Sequence, residues 1–157
     1  MEGNDDMMIT LDWQINCPPE TAFDLMADVR NEPTWNETGR RADLTSDEPV
    51  REGSTFRLVR KNDDVHKATI TRFDRASRLQ FAIETDAMDI TADYSFEAHD
   101  GVTKFRAAFE PTPKGIMRVL LPVLKPMIRR QVTQHHREFS AMCEARVAAS
   151  APTPDAP

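Results

Sequence analysis

The side chains in this sequence that can carry chemistry are few: four histidines, one tyrosine, two cysteines and a surplus of carboxylates. His135 has the most telling position. It recurs with Leu121, Leu124, Ile128, Val132, Phe139 and Met142 at spacings of three and four, which places it on the apolar stripe of a helix. A histidine in that setting is a general acid or base, or a polar anchor, for something held in a cavity. The plainer alternative is a hydrogen-bonded histidine of the core or its rim. His136 points about a quarter-turn away and is expected on the exposed side of the helix. Neighbouring helical side chains diverge, so the pair makes a poor chelate; neither a metal site nor a cofactor is expected.

Tyr94 shares strand parity with Ile90 and Phe96, and His66 with Ala68 and Ile70, so both are expected to face inward. A tyrosine hydroxyl and a histidine in one pocket would bind or polarise a carbonyl or hydroxyl. Tyrosine as amphipathic core filling is the alternative. Asp12, Glu84, Asp89 and Asp93 fall on the polar parity of their strands and read as a solvated face. Cys17 and Cys143 have no histidine at a nucleophile's spacing. The chain has neither a Gly-x-Ser-x-Gly elbow nor a phosphate-cradling glycine loop. Two cysteines permit one disulfide without requiring it, and reduced thiols in a cytoplasmic protein are the simpler expectation.

Charge narrows the partners. The chain of 157 residues carries a net charge of −6. Six of its 20 basic side chains lie in residues 114–137, which hold no acid; the other 14 stand against 26 acids, leaving the rest at −12. An acidic body argues against general nucleic-acid binding. The segment KGIMRVLLPVLKPMIRR, residues 114–130, is both apolar and basic. Such a segment on a surface would touch an anionic membrane transiently. The alternative is a segment packed on its own sheet with its arginines snorkelling outward. The N-terminus is acidic where a secretory signal would be basic, and no apolar run approaches the ~20 residues of a spanning helix.

The elements that must position these residues follow from periodicity. Residues 8–16 alternate, with Ile9, Leu11, Trp13 and Ile15 on one face, as a half-buried strand does. Pro18 and Pro19 open a short helix that carries Phe23 and Met26 on one side. Trp35 sits in a second short helix or turn, between Pro33 and Gly39. From about residue 40 to 112 the period is near two. Turns recur at Asn62-Asp63-Asp64, Asp74 to Ser77, near Asp86, and at His99-Asp100-Gly101. The pattern is an antiparallel meander with one covered face. Pro111 and Pro113 are expected to end the sheet. Residues 114–147 are helical in pattern, with Pro122 and Pro126 kinking or breaking the segment up to about 126. One domain is expected over 7–147, with residues 1–6 and the Ala/Pro-rich 148–157 disordered.

The order strand, short helices, strands, long helix is α+β. A twisted sheet curves round a straight helix, and the space between is filled by side chains or left as a cavity. The run INCPPETAFDLMADVRNEPTW, with Pro18-Pro19-Glu20, Phe23, Asp28-Val29 and Pro33 to Trp35, resembles the opening of the START-like (SRPBCC, Bet v 1-like) superfamily, in particular its polyketide cyclase/dehydrase-like branch. VREGSTFRLV, with Gly53 before a strand, and PVLKPMIRRQVTQHHREFSAMCE fit as well, so the resemblance covers about residues 8–146. It implies a helix-grip fold: a seven-stranded curved antiparallel sheet, two short helices and a long C-terminal helix, enclosing a cavity for lipids, sterols, polyketides or other apolar molecules. Its members include cyclases, carriers and sensors, so the fold alone assigns no chemistry.

The expected function is binding of a hydrophobic small molecule (a lipid, a polyketide or another apolar or aromatic ligand), as a carrier or sensor. Trp13, Trp35, Phe56, Ile70, Phe81, Ile83, Tyr94, Phe105 and Phe109 would line the cavity from the sheet side. Ile128, Val132, His135 and Phe139 would close it from the helix. The alternative is a cyclase/dehydratase-like enzyme, which folds a flexible chain into a reactive conformer while His135 or Tyr94 moves a proton. A third reading is a protein-interaction module that docks through the basic segment.

Overall fold

The structure, a computed structural model, describes residues 7–150. The disorder expected of residues 1–6 and 151–157 lies outside the described residues, and residues 148–150 are helical. Strand β1 (Ile9–Ile15) is followed by helix α1 (Pro19–Ala27), a single 3₁₀ turn (Val29–Asn31) and helix α2 (Glu32–Trp35). Six strands come next: β2 (Gly39–Leu44), β3 (Thr55–Arg60), β4 (Val65–Asp74), β5 (Arg78–Glu84), β6 (Met88–His99) and β7 (Val102–Pro113). Helix α3 (Met117–Ser150) closes the chain. All seven strands form one antiparallel sheet in the order β1-β7-β6-β5-β4-β3-β2.

Alternation decides which side chains face the helices. Leu11 opposes Ala107, which opposes Tyr94; Trp13 opposes Phe105, which opposes Phe96. These rows run across three strands on one face, and that face is the buried one. The β6–β7 hairpin turns at Asp100 (φ 49°) and Gly101 (φ 84°), two successive left-handed residues that suit the twist of a tight hairpin. Pro19 sits in the first turn of α1 with Glu20 beside it, where a missing N–H and a negative charge are both favourable.

Two expectations about proline are corrected. Pro111 and Pro113 do not end the sheet: they belong to β7, opposite Ile90 and Met88 of β6. They are tolerated because β1 stops at Ile9, opposite Phe109, so β7 has a neighbour on one side only beyond that point. Pro122 and Pro126 do not break α3, which runs through both. Both prolines lie on the exposed side of the helix, where solvent can satisfy the carbonyls that lose their partners.

α1 is fastened to the sheet by Phe23, fully buried, whose ring meets Phe73 at 5.0 Å and Phe96 at 5.4 Å, edge-on in both cases. Edge-to-face pairs add to the area term. Phe23→Ala should therefore lower the unfolding free energy by about 3–5 kcal/mol, measured by urea denaturation. A loss below about 1 kcal/mol would mean that α1 is not held in this way.

Candidate ligand-binding site

The helix meets the concave face of the sheet along Leu121, Ile128, Val132, His136, Phe139 and Cys143. The histidine in that line is His136, 4% exposed, and not His135, which is half-buried. The expected assignment is thus reversed, and the reason is rotational. With about 100° per residue, His135 and His136 lie on opposite flanks of the line through Val132 and Phe139. Leu124 and Met142 pull that line toward His135; Cys143 pulls it toward His136. The buried residue is Cys143, so the helix is rotated the second way.

His136 lies inside a shell of aromatic rings. Its centroid is 5.4 Å from Trp35, 5.5 Å from Phe109, 5.6 Å from Trp13, 6.0 Å from Tyr94 and 6.1 Å from Phe105. Nδ1 lies 2.7 Å from the Val132 carbonyl, which can only accept, so Nδ1 carries the proton. Nε2 is left as a buried lone pair with no partner among the described residues. The indole Nε1–H of Trp35 is likewise buried and unpaired. Burial pushes the His136 pKa down to about 4, against the opposing pull of the Val132 carbonyl, so the ring is neutral at physiological pH. The helix is held in register at the same level: Trp13 Nε1 donates to Ser140 Oγ at 2.6 Å, and Ser140 Oγ donates to the His136 carbonyl at 3.1 Å.

The cavity lies beside this shell, under the short helices. Its volume is about 50 Å³, and Met26, Val29, Glu32 and Trp35 line it from α1, α2 and the turn between them. Leu58, Arg60, Ala68, Phe81, Ile83 and Tyr94 line it from strands β3 to β6. Four of the residues expected to line a pocket are there: Trp35, Phe81, Ile83 and Tyr94. Phe56, Ile70, Phe105 and Phe139 are instead packed in the core, while Trp13, Phe109, Ile128 and Val132 lie partly buried against it. The difference arises because α3 presses its side chains into the curve of the sheet and fills it. A wider trough between β1 and α3 is open and bears charged groups such as Arg129, Arg137 and Glu144, which does not suit an apolar ligand.

An ion pair borders the cavity. Arg60 donates from Nη1 to Glu32 Oε1 at 2.6 Å and from Nη2 to Oε2 at 3.1 Å. The side chains are only 15% and 12% exposed. Sequence reading passed over both residues, although Arg60 shares parity with Phe56 and Leu58 and so belongs to the inward face. Burial pushes the Glu32 carboxyl up; the charge and hydrogen bonds of Arg60, and a bond from Asn36, hold it back. Gly39 makes room for it: a Cβ there would stand 3.1 Å from Glu32 Oε1 and 3.3 Å from the Asn36 carbonyl. On the outer side Arg60 Nε donates to His66 Nδ1 at 3.3 Å. Burial, then the adjacent Arg60 charge, lower the His66 pKa. Tyr94 is fully enclosed; burial and the nearby Glu32 charge raise its pKa above the ordinary tyrosine range.

Two further placements complete the picture. Asp93, on the opposite face, is bound by Arg78 at 2.7 Å. Cys17 and Cys143 are both buried and free, and each is the largest influence on the other's thiol, lowering the pKa of Cys17 and raising that of Cys143. Among the described residues no cluster of side chains could hold a metal ion.

This fold has counterparts among known proteins. The model of the family described as polyketide cyclase / dehydrase and lipid transport matches residues 8–147, and the chain belongs to that family. No curated protein matches it in sequence. Among solved structures it is similar to the Zhui aromatase/cyclase from Streptomyces sp. R1128, with a TM-score of 0.78 at 10% identity over 93% of this chain and 98% of that one. It is also similar to a START superfamily protein from Mycobacterium smegmatis, with a TM-score of 0.68 at 15% identity over 92% and 99%. A protein from Thermus thermophilus gives a TM-score of 0.71 at 14% identity over 92% and 99%. These likenesses establish the helix-grip fold.

His136 makes stability depend on acid. Its folded pKa of about 4 lies below the ordinary 6.5, so between those values the unfolded chain binds more protons. Stability is intact above about pH 6.5 and falls as the pH drops toward 4, by roughly 2–3 kcal/mol at pH 4.5. Urea melts of wild type and His136→Phe at pH 7 and 4.5 should differ by that amount in their pH dependence. Equal slopes would show that His136 is not the group titrating. Separately, Gly39→Ala should cost about 1–3 kcal/mol, because Glu32 is pinned by Arg60 and cannot retreat from the new methyl group; an unchanged melt would mean that the pair shifts freely.

Proposed function

We propose that the protein binds a small, mainly apolar molecule bearing a neutral carbonyl or hydroxyl group, with that group directed at Arg60 and Tyr94. The observation that carries this reading is the Glu32–Arg60 pair on the wall of an otherwise apolar cavity. A buried ion pair is a poor source of stability, since desolvation offsets most of its attraction. A few convergent polar groups in an apolar pocket are, however, what fixes the orientation of a ligand. Arg60 uses three of its five N–H donors on Glu32 and His66, leaving two for an oxygen of the ligand. Because Glu32 already balances the charge, a neutral oxygen suits the site better than a carboxylate.

The cavity of about 50 Å³ has room for a few waters, at roughly 10–15 Å³ each. Ligand pockets run to about 300 Å³ and more. Binding therefore requires α2, with Trp35, to move away from the sheet. Family membership supports an apolar ligand, and the likeness to an aromatase/cyclase supports an aromatic or polyketide one.

A second reading, proton transfer in a cyclase-like reaction, rests on the neutral His136 with its unpaired Nε2 beside Tyr94. His136 is not a wall of the cavity, so a widened pocket would have to extend past Trp35 to reach it.

Native mass spectrometry and thermal shift against fatty alcohols, sterols and polyphenolic polyketides test both readings. The expected result is retention of a neutral oxygenated ligand, weakened about tenfold or more by Arg60→Met. Comparing each variant with its own ligand-free melt separates binding from stability. If nothing in the panel binds the wild type, the reading fails; turnover of a bound ligand that is lost in His136→Gln but not in Arg60→Met would favour catalysis.

A further inference from the structure

We propose that the first half of α3 is a docking surface for an anionic lipid bilayer. Six large apolar side chains are strongly exposed among the described residues, and five of them fall in residues 116–127. Val123 is 76% exposed, Val119 73% and Ile116 72%, with Met127 and Leu120 beside them. The Val119 and Leu120 N–H groups bond the Ile116 carbonyl, so Ile116 is wound onto the same helix. At about 100° per residue these five lie within an arc of roughly 100°. The same phase places that arc about 160° from the buried line of Leu121, Ile128 and Val132.

The outward stripe therefore cannot pack on the protein's own sheet, because the opposite face of the helix already does so. A contiguous exposed stripe of this kind on a folded protein marks an interaction surface. No Asp or Glu occurs between residues 111 and 137, and Arg118 and Arg130 make no ion pair among the described residues. Arg130 continues the stripe at its C-terminal end, whereas Arg118 and Arg129 are exposed on the flank of the helix beside the buried line. Asp89 of β6 is paired with Lys114 at 2.9 Å.

An apolar stripe that ends on the unpaired Arg130, in a basic segment without an acid, matches the boundary of an anionic bilayer, where the stripe enters the acyl region and the cations meet the headgroups. A second copy of the chain fits less well: neither copy would offer an acid from this segment to meet the basic side chains of the other. Among the described residues no helix is long and apolar enough to cross a membrane, so the contact would lie in the plane of the interface. The inference does not depend on the ligand reading above.

Vesicle co-sedimentation of the full chain tests it, with phosphatidylcholine vesicles, with and without phosphatidylglycerol. The expected result is binding to the anionic vesicles at low salt, at least about tenfold weaker on neutral vesicles and at high salt. Val119→Glu combined with Val123→Glu should weaken binding at least about tenfold while leaving the thermal melt unchanged, since both side chains are exposed. Arg130→Glu should do the same on anionic vesicles alone. Absence of binding to anionic vesicles at low salt overturns the proposal. So does a dimer in analytical ultracentrifugation that the valine variant dissolves without any vesicle binding by the wild type: the face would then belong to a second copy. A ligand screen that fails has no bearing on these outcomes, and vesicle binding that fails leaves the ligand reading standing.

Discussion

A straight helix laid across a curved sheet leaves a wedge of space, and the structure depends on how that wedge is filled. Here the filling is a knot of rings: Trp13, Trp35, Tyr94, Phe105 and Phe109 around His136, with Phe139 one turn further along the helix. Side chains from β1, α2, β6, β7 and α3 all converge there. The imidazole can occupy this space only as a neutral ring, because charging it so far from water would cost several kcal/mol. Its proton is fixed on Nδ1 by the helix's own Val132 carbonyl. The knot thus sets helix register, tautomer and charge together.

Filling the wedge under α3 moves the free space elsewhere. The cavity sits under α1 and α2. It is also where the structure retains its most buried ion pair, Glu32–Arg60. Hydrocarbon at those positions would pack as well or better. A polar pair on the wall of the cavity therefore adds little to stability. Of the two buried polar atoms without a partner nearby, the Trp35 N–H belongs to a residue of the cavity wall, and His136 Nε2 lies behind it.

α3 has a divided character. From Val132 onward it is a core helix with one buried face and a polar back. Before that it is apolar on two opposite faces, and Pro122 and Pro126 occupy its solvent side without interrupting it. The prolines cost the helix two backbone donors, yet the helical path persists because Leu121, Leu124 and Ile128 still reach the sheet side. The outer stripe of this half is unrelated to packing and belongs to whatever the protein meets.

The amino-acid sequence by itself determined the strands, their inward rows, the turns and the long helix, because alternation and helical stripes are local and repeat many times. It also carried the resemblance that named the family. Arg60 was legible on the same parity rule, but a charged residue is usually read as outward, and only its partner Glu32, 28 residues earlier, explains its burial. Pro111 lay beyond local reading because it is allowed in a strand only where the neighbouring strand has ended, which is a fact about β1. The choice between His135 and His136 could not be made from the stripe: the two flank it equally, and a modest rotation of the helix decides. The tertiary structure made that choice: it buries Cys143, and the same rotation of the helix turns His136 toward the sheet. Periodicity fixes which face of an element is buried to within a side chain or so. Which single polar group ends up inside is set by contacts between distant elements, and those exist only once the chain is folded.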